Sequence, residues 1–162
     1  GKTTLAAEIA KRIGAPHVEL DALHWGPNWT PFDVEVFRAN TEAALQGEAW
    51  TVDGNYSVVR DIIWPQADTV VWLRYSLVVI YWQLIWRTLR QVWRKEVLWN
   101  GNRVEWHNAF SRDSLLFEAI PSNRKHRGRY PLLFEEYSHL RVVILNSRKE
   151  MRRWLQETFP EG

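Results

Sequence analysis

The sequence predicts an α/β protein in which a parallel β-sheet carries helices on both faces. Short apolar runs with the character of strands alternate with amphipathic helical segments, and this alternation is typical of such sheets. The composition is 46% hydrophobic and 25% charged, which indicates a folded globular chain. Because 162 residues suit one domain and no repeat or linker interrupts them, we expect a single domain over 1–162.

The first element is predicted as a helix over 2–13. Leu5, Ile9 and Ile13 recur at four-residue spacing, which places them on one helical face. Gly14 then supplies a helix stop.

A short strand, a loop, a helix and a second strand are predicted next. The strand covers 17–20 and the loop covers 21–29. Thr30 is the expected N-cap of the helix, with Pro31 in its first position, and the helix runs to about residue 45. An apolar run over 50–53 predicts the second strand.

The second half of the chain repeats this alternation. Apolar runs predict strands over 69–73 and 141–145, and a long helix is expected from about 76 to 98. Ser147 is the expected cap of a last helix that reaches residue 159. The segment over 86–130 is predicted to be a mobile, mostly helical lid.

The chain opens on Gly1-Lys2-Thr3-Thr4, which is the second half of the phosphate-binding pattern G-x-x-x-x-G-K-[ST]. In that pattern glycine allows close backbone approach, lysine reaches the β- and γ-phosphates, and the first threonine ligates Mg²⁺. Thr4 would add an α-phosphate contact. The alternative is an ordinary helix N-terminus that Thr3 caps.

A phosphate-binding loop follows a strand, so we expect a strand and the residues G-x-x-x-x to precede Gly1 in the complete protein. The sequence is accordingly interpreted as a truncated chain. A structure of it should show four parallel strands with a gap beside the start of the first helix.

Two acidic positions follow predicted strands, where ligands bind in open parallel sheets. Asp21 is a candidate to orient an acceptor hydroxyl or to take its proton, with His24 and Trp25 beside it as substrate-binding residues. Alternatively, Asp21 caps a turn and the two rings pack against it.

Asp53 closes the apolar strand over 50–53 and is a candidate Mg²⁺ ligand acting through water. Gly54, Asn55 and Tyr56 follow it as candidate substrate-binding residues. A plain turn is the alternative, because Asp-Gly is a common turn pair.

Three arginines share one face of the long predicted helix, since Arg87, Arg90 and Arg94 are spaced by three and four residues. They are candidates to stabilise the charge that develops on a transferred phosphoryl group, and a solvated basic face is the alternative. The nucleotide base is expected near Ser147 and Arg148, with Asn146 beside them, where the last strand ends.

Composition disfavours several other classes of protein. Without cysteine, disulfides and thiolate metal sites are excluded, and a cytoplasmic location is expected. The net charge of +2 disfavours a general nucleic-acid partner. The apolar stretch over 70–86 is short for a membrane span and contains Arg74, so no membrane partner is expected. Most of the eleven tryptophans are expected in core and lid packing.

The ordered motifs together resemble a known family. The chain contains G-K-T-T, H-V-E-L-D-A-L-H-W, V-D-G-N-Y, A-D-T-V-V-W-L, L-W-N-G-N-R and S-R-D-S-L-L in this order. Over nearly its whole length it resembles the adenylate-kinase-like P-loop proteins of bacteria that are often labelled DNA topology modulation proteins.

This resemblance implies a three-layer P-loop NTPase fold with a five-stranded parallel sheet ordered 2-3-1-4-5, whose first strand this chain lacks. Asp53-Gly54 matches a D-G pair of adenylate kinases, whereas Asn55-Tyr56 replaces the F-P-R that follows it there. The arginine of F-P-R grips a nucleotide phosphate, so the resemblance does not extend to AMP as acceptor.

The predicted function is therefore an ATP- and Mg²⁺-dependent phosphotransferase that moves the γ-phosphoryl group to a small acceptor, whose identity stays open. Lys2, Asp21 and the arginines of the long helix are its expected catalytic residues. The alternative is a nucleotide-binding regulator that transfers nothing, with a nucleic-acid-associated role as a further variant. The sequence leaves the oligomeric state open.

Overall fold

The computed structural model describes residues 1–94, 99–102 and 128–160, and these form an α/β fold. The helices are α1 Lys2–Ile13, α2 Leu20–His24, α3 Val34–Ala44, α4 Arg60–Ile63, α5 Leu77–Arg94, α6 over 128–136 and α7 Arg148–Thr158. The strands are β1 His17–Glu19, β2 Thr51–Asp53, β3 Thr69–Leu73 and β4 Arg141–Leu145. Short 3₁₀ turns lie at Pro27–Trp29, Ser57–Val59 and Trp99–Gly101.

The four strands form two parallel pairs. In the first pair β1 lies beside β2, with His17 opposite Thr51. In the second pair β3 lies beside β4, with Thr69 opposite Arg141. Within the described part of the chain, no hydrogen-bonded ladder joins one pair to the other.

Helices cover both faces of the β1–β2 pair. Val18 and Val52 point to an apolar cluster whose centre is Phe37 of α3, a side chain only 1% exposed. The opposite face meets α1, where the Thr51 hydroxyl donates a hydrogen bond to the Ala6 carbonyl oxygen at 3.0 Å. The alternation of side chains along β2 therefore decides which helix each residue contacts.

The β3–β4 pair is also covered on two sides. Leu145 and its neighbours pack with Leu5 of α1 and Leu155 of α7. On the other side, Trp72 meets Tyr130 and Phe134 of α6, with ring centroids 5.1 and 6.0 Å apart. Helix α1 therefore contacts both strand pairs, and its N-terminus lies between the ends of β2 and β3.

Several predicted elements are confirmed. The structure has a helix at Lys2–Ile13, which ends as predicted on Gly14 in the left-handed conformation with φ of 66°. The strands at Thr69–Leu73 and Arg141–Leu145 also have the predicted bounds. The hydroxyl of Ser147 caps α7 by accepting a hydrogen bond from the Glu150 backbone N–H at 3.1 Å.

The predictions for residues 21–33 were wrong in two respects. The expected loop contains helix α2, and α3 begins at Val34 instead of following a Thr30 cap. Local backbone hydrogen bonds explain the later start, because residues 25–32 fold back on themselves: Gly26 N–H donates to Thr30 O at 2.8 Å, and Phe32 N–H donates to His24 O at 2.8 Å. The backbone of Thr30 is thereby held outside the helix.

Helix α5 exposes an apolar stripe. Trp82, Trp86 and Trp93 are 63%, 57% and 83% exposed, so these three tryptophans lie outside the core. The last two belong to the segment predicted as the lid. Among the described residues, no helix combines the length and apolarity needed to cross a bilayer. Of the predicted lid over 86–130, residues 95–98 and 103–127 lie outside the described part of the chain.

Candidate functional site

The candidate site is built where the N-terminus of α1 meets the carboxyl end of β2. The Thr3 hydroxyl donates a hydrogen bond of 2.6 Å to Oδ2 of Asp53. Asp53 is only 9% exposed, and buried carboxylates need hydrogen-bond donors to offset their lost hydration. The residues predicted to serve Mg²⁺ therefore touch each other, although 50 positions separate them in the chain.

His17 completes this cluster, and sequence reasoning missed it. Its Nε2 lies 2.9 Å from Oδ1 of Asp53, so each carboxylate oxygen has one partner. The order of contacts is Thr3–Asp53–His17. It differs from a nucleophile triad, in which histidine must touch the hydroxyl that it deprotonates. The position of His17 at the start of β1 becomes informative only once β1 is known to pair with β2.

Positive charges converge on Gly1. Lys2, Arg87 and Arg148 each act on Gly1 electrostatically as positive charges, and the Asp53 carboxylate acts on it as a negative charge. These three cations come from α1, α5 and α7. Together with the N-terminal dipole of α1, they create a local field that favours a bound anion.

Arg87 acts electrostatically on two parts of the site, Gly1 at the start of α1 and the Asp21 carboxylate. Although solvent reaches part of its side chain, burial lowers the pKa of Arg87, and the Asp21 carboxylate raises it. The guanidinium stays charged and acts on both Gly1 and Asp21. Arg90 is exposed on the same helix, and the side chain of Arg94 lies outside the described part of the structure.

Asp21, Tyr56 and Trp25 form a second polar group. The Tyr56 hydroxyl donates to Oδ1 of Asp21 at 2.6 Å and accepts a hydrogen bond from Trp25. Burial, followed by the contact with Asp21, raises the pKa of Tyr56. The structure thus brings together three of the predicted substrate-binding residues.

His24 lies beside this group in an aromatic cluster. Its ring centroid is 4.7 Å from those of Trp25 and Tyr56, and 5.0 Å from that of Phe37. Its Nδ1 is buried without a hydrogen-bond partner among the residues that the structure describes. The ring contacts place His24 against the Asp21–Tyr56 group.

Gly54 has a steric role that the sequence did not indicate. Its φ is 135°, and a Cβ atom there would lie 2.6 Å from Cβ of Leu20. Leu20 fills the side on which a substituent would project. Asn55, the next residue, is exposed.

The end of β4 supplies the last predicted residues. The Ser147 hydroxyl is used as the cap of α7, and Asn146 contacts both Arg74 and Glu150, with Arg74 Nε 2.9 Å from the Asn146 side-chain oxygen. Arg148 is the residue of this segment whose charge reaches Gly1.

A further contact joins two motifs that the sequence presents separately. The Asn102 amide donates to the Gly26 carbonyl oxygen at 2.9 Å, and its oxygen accepts from the Trp29 N–H at 2.9 Å. Asn100 also donates to the carbonyl oxygen of Trp25. The segment at 99–102 therefore holds the loop that follows Asp21.

The donor set restricts which cation could bind. The described residues contain no group of three or more His, Cys, Asp or Glu side chains that could hold a metal ion. Mg²⁺ does not need such a cage, because it keeps several waters and is bound through one or two protein groups plus substrate phosphates. Thr3 and Asp53 fit that requirement.

No protein-family model matches the chain, and no curated protein or solved structure is significantly similar to it.

Proposed function

We propose that this protein is a P-loop phosphotransferase that binds ATP and Mg²⁺ and transfers the γ-phosphoryl group to a small acceptor. The observation that carries the proposal is the 2.6 Å hydrogen bond between Thr3 and Asp53. In P-loop enzymes a hydroxyl of the loop and an acid at the end of a nearby strand share one Mg²⁺ site. The sequence predicts the threonine of the motif and the strand-end carboxylate independently of each other, and in the structure they form this hydrogen bond.

The charges around the site support the same function. Lys2, Arg87 and Arg148 act together on the start of α1, where the phosphates of ATP would lie. Their role is to bind the phosphate oxygens and to stabilise the negative charge that spreads over them during transfer. Bound Mg²⁺ supplies further neutralisation of that charge.

Asp21 has the acceptor role in this proposal. Its carboxylate orients the acceptor hydroxyl and takes its proton, and Arg87 connects this group to the phosphate side because its charge acts on both. Tyr56 holds the carboxylate in place through its hydrogen bond, and Trp25 in turn donates a hydrogen bond to the Tyr56 hydroxyl. His24 and the neighbouring rings line the acceptor side.

The strand pairs support a P-loop sheet in the order 2-3-1-4-5. The strand numbers of that order differ from the labels used here. In that order β1 and β2 would take the second and third positions along the chain, and β3 and β4 the fourth and fifth. The first strand would lie between β2 and β3, which are not hydrogen-bonded to each other here. Experiments on this proposal use the full-length protein.

The test is a panel of small hydroxyl and phosphate acceptors incubated with γ-labelled ATP and the full-length protein. Lys2→Ala should reduce turnover or ATP affinity by more than about tenfold, since the phosphate oxygens lose the positive charge of the lysine. Lys11→Ala is the matched control: it removes the same charge from the last turn of the same helix, and it should leave turnover unchanged.

The acidic variants separate the two proposed roles. Asp53→Asn should weaken the Mg²⁺ dependence, whereas Asp21→Asn should affect the rate with the acceptor and spare ATP binding. Unchanged binding and turnover in Lys2→Ala would refute the proposal. ATP binding without transfer to any acceptor would instead indicate the nucleotide-binding regulator.

A further inference from the structure

His17 makes a contact that strand pairing alone does not require. In the β1–β2 register its partner is Thr51, yet its side chain leans two residues along the neighbouring strand to reach Asp53. The side chains of both residues are largely buried, at 15% and 8% exposure. This contact orders two polar side chains inside a packed interface, at the edge of the proposed phosphate site.

The two donors fix the plane of the Asp53 carboxylate. A carboxylate rotates broadly about its last torsion when nothing holds it. Here Oδ1 accepts from His17 and Oδ2 accepts from Thr3, so each oxygen is held by its own donor. Since an ionised carboxylate only accepts hydrogen bonds, Nε2 is the ring nitrogen that carries hydrogen in this arrangement.

We propose that His17 is the positioning residue of the magnesium site: it holds Oδ1 of Asp53 so that Oδ2 faces Thr3 and the bound cation's water. This inference rests on the proposed function and adds a residue to it. Partners of this kind orient metal ligands, and their removal costs roughly 10- to 100-fold in metal affinity.

The first experiment measures Mn²⁺, an EPR-active substitute for Mg²⁺, in the ATP complex of the full-length protein. His17→Leu removes the donor and should weaken Mn²⁺ binding by about tenfold or more. His17→Gln places an amide N–H near the same position and should stay within about threefold of wild type. ATP affinity in EDTA should be the same in all three proteins.

These readouts separate positioning from packing. A residue that merely stabilises the fold would lower ATP affinity in EDTA as well, and glutamine would not restore Mn²⁺ binding. Either that pattern, or wild-type Mn²⁺ affinity in His17→Leu, would overturn the inference. Circular dichroism establishes that each variant is folded.

A second experiment needs no nucleotide. NMR of the imidazole should show the Nε2–H tautomer in the wild-type protein, with the shifted proton resonance of a strong hydrogen bond, and Asp53→Ala should remove that shift. A different tautomer in the wild type, or a proton shift that Asp53→Ala leaves unchanged, overturns the inference, whatever the protein does with ATP. The expected shift in a protein that binds no ATP would refute the proposed function while leaving the His17–Asp53 contact established.

Discussion

Gly54→Ala is the most direct test of the packing around the candidate site. Two costs add at this position. The φ of 135° lies in a region that side chains other than glycine rarely adopt, at a cost of about 1–3 kcal/mol. The new Cβ would also lie 2.6 Å from Cβ and 2.9 Å from Cδ1 of Leu20, where carbon atoms prefer about 3.5–4.0 Å.

Leu20 has little room to move, because it is only 2% exposed and belongs to the core cluster around Phe37. Overpacking of this kind costs about 1–3 kcal/mol. We therefore expect Gly54→Ala to lower the free energy of unfolding by about 2–6 kcal/mol in total. That is a large part of the ~5–15 kcal/mol that stabilises a typical domain.

Gly14→Ala provides the matched control. Gly14 also has a positive φ, of 66°, but a Cβ there meets nothing within 4 Å. Gly14→Ala should therefore lower the free energy of unfolding only through the unfavourable backbone conformation, by about 1–2 kcal/mol. Urea unfolding followed by tryptophan fluorescence and circular dichroism measures both variants. If Gly54→Ala costs no more than Gly14→Ala, the contact with Leu20 relaxes freely and the steric reasoning is wrong.

Three other predictions follow from single contacts. Asn102→Ala should cost about 1–3 kcal/mol in urea unfolding, because it removes the partner of two backbone groups, and an unchanged midpoint would contradict this. Tyr56 has a pKa raised by burial and by Asp21, so its contribution is present below about pH 10 and is lost as pH rises above that value. Tyr56→Phe should therefore lose less stability than wild type as pH rises above about 10, and parallel curves of stability against pH would refute this contribution of Tyr56. The Arg38 hydrogen bonds lower the pKa of Asp61, so their contribution is present above about pH 4 and is lost as pH falls through the lowered value. Arg38→Ala should flatten the acid side of the stability curve, and an unchanged slope would show that solvent screens the pair.

Where an element depends on local sequence, the prediction was accurate. The four-residue spacing and Gly14 define α1, and the apolar runs define β3 and β4 with their correct bounds. These signals act within a few residues, so a linear reading contains them. The cap of α7 by Ser147 belongs to the same class. The predicted start of α3 was wrong, because backbone contacts within residues 25–32 outweighed the capping signal of Thr30 and Pro31.

In the candidate site, too, some features follow from local sequence and others only from tertiary packing. The sequence by itself determined that Thr3 and Asp53 carry groups suited to Mg²⁺, because motif and strand end are both local features. Only the tertiary structure decided that they touch, that His17 anchors the same carboxylate, and that Leu20 is what makes glycine necessary at position 54. The physical reason is distance along the chain: hydrogen bonds between residues 36 or 50 positions apart, and a steric contact between Leu20 and Gly54, depend on how helices and strands pack. Residue type and spacing do not encode that packing directly.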